Sequence, residues 1–367
     1  MPSLYIHIPF CQKKCFYCSF IVTVGQDHRI DSYLDCLAQE AERYRDTLIE
    51  TVYLGGGTPS YLNRDQLQKF LTTIRQKFKF TSNCEWTLEA NPEGLDLEKA
   101  KLLYDLGINR ISLGVQSLND RYLKYLGRCH DARRAADAFQ ILRQAGFRNI
   151  NVDLMYSFPG QTDREIKEDV LSLTSLGSEH LSLYTLTIEE NSRFYARRIK
   201  LDSNENQARQ YELVVSFLES TEFKQYEISN FAKPGKESQH NLNYWQGGDY
   251  IGLGVSAHSH RAETRFWNAS KTNMYMTRIQ QQQSPLEGEE KLSAHQRLME
   301  LILFGLRMNQ GVHIEEVGKK VGCVLDAARG QIIDELIGQG FLFREKGYLK
   351  TSLKGRLVLD EISSRLI

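Results

Sequence analysis

PFCQKKCFYCSF, residues 9–20, sets Cys11, Cys15 and Cys18 at the spacing C-x3-C-x2-C, three of the chain's seven cysteines. A disulfide needs two thiols, and a closed structural zinc site takes four ligands, commonly as two separated pairs. Three thiolates in one loop suit a 4Fe–4S cluster instead, with one iron kept open for a chelating small molecule. Zinc held by these cysteines with His7 or a distant residue is the competing reading, and spacing by itself leaves both open. Pro9 stiffens the entry to the loop, while Phe10, Phe16 and Tyr17 can screen it from water. Cys36, Cys84, Cys129 and Cys323 are scattered singly, which is not the pattern of a disulfide-stapled secreted domain.

Outward from this loop, short β-rich runs alternate with helical patterns. SLYIHI (3–8), TVYL (51–54), CEWTLE (84–89), RISLGV (110–115), NINVDLMY (149–156) and HLSLYTL (180–186) predict strands. Helices are predicted over 30–46, 64–78, 96–106, 131–145 and 163–176, with glycine in DLGINR and QAGFRN ending two of them. Such alternation implies parallel βαβ units, as an open doubly wound sheet or a partial (β/α)6 barrel. Polar residues favour the barrel, because nearly every strand end supplies one: GGGT after the second, Glu89, Gln116, Asp153 and Thr187. Active-site groups of (β/α) barrels gather at the C-terminal strand ends. Taken singly, each of these residues reads as well as a cap or turn.

The fold class expected is α/β, a partial (β/α)6 barrel over residues 1–280 followed by a smaller C-terminal domain. A helix to about 219 leads into HNLNYWQGGDYIGLGVSAHSH (240–260), read as strands and loops covering the open side of the barrel. QQQSPLEGEE (281–290) reads as a polar linker. Residues 291–367 open on an apolar helix and end helix, two strands, helix, a winged-helix-like order. A structural role is favoured for it over DNA binding, since the chain of 367 residues has zero formal net charge. Its 41% apolar and 25% charged content is that of an ordinary globular protein. MPSLYIHIPF lacks a secretory signal, and no run approaches ~18 uncharged apolar residues, so a cytoplasmic chain with reduced thiols and no membrane span is expected.

The cysteine loop followed one unit later by LGGGTP (54–59) resembles the radical SAM superfamily. Further motifs resemble its HemN/HemW group in order: YIHIPFC, GGGTPSYL, EANPEGL, RISLGVQS, LGRCH, VDLMYSFPGQT and LGVSAHS. The resemblance implies a 4Fe–4S cluster on Cys11, Cys15 and Cys18. It implies S-adenosylmethionine contacts from Tyr5, Tyr17, Gly56, Gly57, Thr58, Glu89, Gln116, Arg128 and Asp153, with Thr187 and His258 beside them. Two features depart from the coproporphyrinogen-oxidising branch. That branch carries a further cysteine where this chain has Phe20, and an extension ahead of a barrel that here begins at residue 3. HNLNYW (240–245) instead is similar to a motif of the haem chaperones that opens on His-Asn and ends on Tyr-Trp. That likeness implies haem as ligand, a haem-acceptor protein as partner and His240 as the haem-iron ligand, with His258 and His260 competing in the same region. Whether the chain is an enzyme stays open, coproporphyrinogen III oxidative decarboxylation being the alternative to chaperone.

Overall fold

Runs such as β1 (Ser3–Ile8) and β4 (Arg110–Gln116) are buried along almost their whole length, the signature of strands covered on both faces. In the computed structural model, which describes residues 1–367, they join β2 (Leu48–Gly56), β3 (Lys79–Ala90), β5 (Ile150–Tyr156) and β6 (His180–Thr185) in one sheet. Each neighbouring pair is parallel, and the six lie side by side in chain order. A doubly wound sheet reverses its order at a switch point. Sequential order with one hand of crossover keeps the helices on one face and curls the sheet, so the architecture is the partial barrel. It does not close: β1 pairs onward with Tyr250–Leu253, and β6 with Asn230–Ala232.

The outer layer is built from α1 (Ile30–Ala41), α2 (Arg64–Lys77), α3 (Leu97–Asp105), α4 (Asp120–Leu126), α5 (Ala132–Ala145) and α6 (Asp163–Ser175). Their starts are set by side-chain caps: Asn63 with Gln66 and Thr162 with Glu165 form capping boxes, and Asp96 and Asp131 cap singly. The apolar stripes of α1, α2, α3, α5 and α6 merge with the strands in a core of 58 buried residues, Tyr122 and Leu126 of α4 join a cluster of six, and Leu298 through Leu366 hold a separate core of 12. The C-terminal segment thus packs helices Ala294–Arg307, Ile314–Val321 and Ala327–Gly338, then the hairpin Leu342–Glu345 and Tyr348–Thr351, then Leu359–Leu366.

Three segments differ from the sequence reading. Gln239–Trp245 is a helix, not strand and loop: Ser238 caps it, accepting from the Asn241 amide at 3.4 Å, and Glu85 holds the His240 amide at 3.1 Å. Buried partners override a weak intrinsic helix preference. Within 281–290, read as linker, Leu286–Lys291 is an edge strand paired antiparallel with Thr264–Asn268. Its acidic side chains suit an edge and hide it from an apolar pattern. Helix α4, too short for a periodic signal, adds a turn between β4 and α5.

Candidate functional site

The cysteine loop leaves β1 through Pro9 and is fixed at several points. Phe10 is buried edge-on against Tyr33, with ring centroids 5.4 Å apart. The Cys11 amide donates to the Thr23 carbonyl at 3.0 Å, and the Phe16 amide to the Leu126 carbonyl of α4 at 2.9 Å. Phe16 lies over Gly127, which ends α4 at φ 75°, where a β-carbon would stand 3.0 Å from the ring. The three thiols line one cavity of about 1080 Å3 at the C-terminal ends of the strands. Cys11 Sγ lies 3.3 Å from Thr58 Oγ1, and Arg128 Nη1 donates to Cys15 Sγ at 3.5 Å. Burial pushes the Cys11 thiol up to about 11 and raises Cys18 as well. No three metal-ligating side chains already converge on a common point. Three thiols on one loop, one buried and two half-buried, beside a guanidinium that offsets thiolate charge, are nonetheless the donor set a 4Fe–4S cluster takes.

The same cavity receives Tyr17, Gly56, Gly57, Thr58, Glu89, Gln116, Arg128, Asp153 and Thr187 from the ends of β1 to β6 and the loops beyond. The glycine tract is dictated first by packing. A β-carbon on Gly56, whose φ is 107°, would lie 2.4 Å from the His7 ring, and one on Gly57 2.6 Å from the Pro9 carbonyl carbon. Glu89 accepts from the Gly56 amide at 3.0 Å and the Tyr53 hydroxyl at 2.8 Å, and burial raises it to about 7. Burial also raises Asp153, which accepts from Asn151 at 2.6 Å and Ser112 at 3.4 Å. Gln116 closes β4 at φ 70°, a left-handed conformation costly for any residue but glycine and typical of functional sites. Arg128 Nη2 is spent on Asn91 Oδ1 at 2.7 Å and the Gly114 carbonyl at 2.8 Å. Sequence reasoning passed over Asn91, Tyr53, Ser112 and Arg110. Asn91 and Arg110 sit inside EANPEGL and RISLGVQS and were equally within reach; Arg110 is 2% exposed on the cavity wall with an unpartnered Nε. From the C-terminal segment, Arg307, Arg356 and 357–361 complete the wall.

Tyr5 and His258 are not in this group. They line a second cavity of about 580 Å3, together with His7, Ile21, His240, Tyr244 and Tyr250. Ser19, Phe20, Tyr53 and Asn241 border both cavities, so the two adjoin across the end of the cysteine loop. His240 is 1% exposed and both its ring nitrogens are engaged: Nδ1 lies 2.8 Å from Thr51 Oγ1, and Nε2 3.0 Å from the Tyr244 hydroxyl. Burial, with the Arg110 charge adding to it, pushes this imidazole down to about 3. His260 is 4% exposed and does not line the cavity.

Residues 5–173 match the family described as the radical SAM superfamily, and residues 292–358 match the HemN C-terminal domain. The chain is 36% identical to the haem chaperone HemW of Lactococcus lactis subsp. lactis (strain IL1403), over 98% of this chain and 98% of that one. It is 35% identical to HemW of Bacillus subtilis (strain 168), over 99% and 98% of the two chains. For HemW of Escherichia coli (strain K12) the identity is 34%, over 98% and 96%. Among solved structures, the coproporphyrinogen III oxidase HemN of Escherichia coli, a radical SAM enzyme, matches with a TM-score of 0.88. It covers 100% of this chain and 90% of its own at 24% identity, a likeness of fold.

Proposed function

The chain belongs to the radical SAM superfamily and, within it, to the HemW haem chaperones, and we propose that it holds haem and passes it to an acceptor protein, with a 4Fe–4S cluster and S-adenosylmethionine bound alongside. Cys11, Cys15 and Cys18 would hold the cluster, which when bound supplies an electron to the S-adenosylmethionine chelated at its open iron. Arg128, donating to Cys15, offsets the thiolate charge and orients that ligand. Gly56 and Gly57 leave the backbone bare beside Thr58 for the methionine end, and Gln116 can donate to it or accept from it. Glu89 and Asp153 accept from amino or hydroxyl groups, the chemistry of methionine amine and ribose. Tyr17 and Thr187 lie where they limit access of water to the same cavity.

Haem is the cargo and belongs to the second cavity, whose walls are largely aromatic. The observation that carries this reading is the partition itself: the cysteine loop and the HNLNYW helix serve separate cavities that share one border. A chaperone needs to hold cargo beside its cofactor without consuming it. At that border Phe20, 67% exposed, stands where the coproporphyrinogen-oxidising branch has its further cysteine. The test is turnover: anaerobically reconstituted protein, given reductant, S-adenosylmethionine and coproporphyrinogen III, is expected to form no protoporphyrinogen while binding haem. Decarboxylation under these conditions would make the chain an enzyme of haem synthesis.

A further inference from the structure

Resting on the reading of haem as cargo, we propose that the haem iron is taken by His258, and that His240 is a positioning residue that does not touch the iron.

Three imidazoles line the second cavity, and iron needs a free ring lone pair on one of them. His7 has none. Its Nε2 lies 3.3 Å from the Ile21 carbonyl, which accepts only, so Nε2 carries the proton and Nδ1 takes the Tyr5 hydroxyl at 3.0 Å. His240 has none either. The Thr51 hydroxyl donates to Ser3 Oγ at 2.8 Å, so Thr51 accepts from His240 Nδ1–H, and the Nε2 lone pair is filled by the Tyr244 hydroxyl. Freeing that nitrogen would strip a buried group of a partner and require the ring to leave the core.

His258 is different on each count. It is exposed to the cavity, and neither ring nitrogen has a hydrogen-bond partner in the protein. Its strand, His258–Arg261, pairs it directly with Trp267, whose ring lies 24° from parallel at 5.8 Å between centroids. The imidazole is therefore held at one face by an indole on a paired strand, with both nitrogens free of partners in the protein. Around it Tyr5, Phe20, Tyr53 and Tyr244 present flat apolar surface of the kind that packs on a macrocycle. A ligand at the cavity mouth, not in the core, also suits cargo that must be given up. His240 serves the same cavity indirectly, by fixing the Tyr244 hydroxyl and, through its own amide, the helix that carries Tyr244.

The experiment compares wild type, His258→Ala and His240→Ala in two titrations, one with haem and one with metal-free protoporphyrin IX. The first reads iron ligation by Soret absorbance and the iron–imidazole vibration, the second reads the cavity alone by fluorescence. For His258→Ala the expected result is loss of the iron–imidazole signature and haem affinity weaker by about tenfold or more. Metal-free porphyrin binding and the 4Fe–4S absorbance should be unchanged, and added imidazole should restore the haem spectrum. For His240→Ala, whatever porphyrin still binds should keep the wild-type iron–imidazole signature. An unchanged haem spectrum in His258→Ala overturns the assignment, as does loss of that signature in His240→Ala with metal-free porphyrin binding intact. Failure of the wild type to bind haem at all would instead overturn the cargo reading on which the assignment rests.

Discussion

Glu40, 1% exposed, is a carboxyl sealed in the core near the end of α1, where it accepts from the Gly254 amide at 2.8 Å, the Asn268 amide at 2.6 Å and the Tyr275 hydroxyl at 2.6 Å. Burial raises it from 4.5 to about 7 against those hydrogen bonds. Between these values the folded protein keeps a proton the unfolded chain has released, so stability falls as pH rises, and above about 7 the full cost is present. The loss is on the order of 3 kcal/mol. Glu40→Gln should flatten the pH dependence of denaturant-induced unfolding over that window, and an unaltered profile would place the proton elsewhere. Gly56→Ala forces a β-carbon onto the His7 ring at φ 107° and should cost about 1–3 kcal/mol, read as a lowered melting temperature without cofactor. Cys15→Ala should abolish the 4Fe–4S absorbance after reconstitution while the circular dichroism of the fold remains, since two thiolates do not replace three. At this scale the sequence was informative where a motif names a residue, and uninformative about direction. Tyr5 and His7 lie on the short strand that leads into the cysteine loop, yet they face the second cavity, because position in a pleat decides which side a residue serves and the motif does not say.

Elements were legible wherever burial on two faces or an amphipathic stripe wrote a period into the chain. The six parallel strands and five of the helices around them carry such a period, and glycines at 107 and 146, at φ 84° and 109°, mark two of their junctions. The helix Gln239–Trp245 does not. It is one of the shortest, rich in asparagine, and stands because Ser238 and Glu85 satisfy its first amides. Ser238→Ala should therefore cost about 1 kcal/mol, and should loosen the seat of Tyr244 enough to weaken porphyrin binding while leaving the cysteine loop intact. Equal porphyrin affinity in this variant would show that the helix is held by its packing alone. The strand Leu286–Lys291 was hidden for the opposite reason: an edge needs charge to stay unpaired, and charge reads as loop.

Across the whole molecule, chain-order winding leaves the barrel open on one side, and that opening is where function collects. Residues of the C-terminal segment, with its own core, wall the larger cavity at Arg307 and Arg356. Strands beyond β1 carry His258 and enclose the smaller cavity. No helix is long and apolar enough to cross a membrane. If cofactor and cargo occupy adjoining but separate cavities, haem titrated into protein already loaded with the 4Fe–4S cluster and S-adenosylmethionine should find its own cavity free. The expected result is saturation at one haem per chain, with the cluster absorbance and the bound S-adenosylmethionine undiminished. Release of S-adenosylmethionine in step with haem uptake would mean that both compete for the larger cavity, and would contradict it.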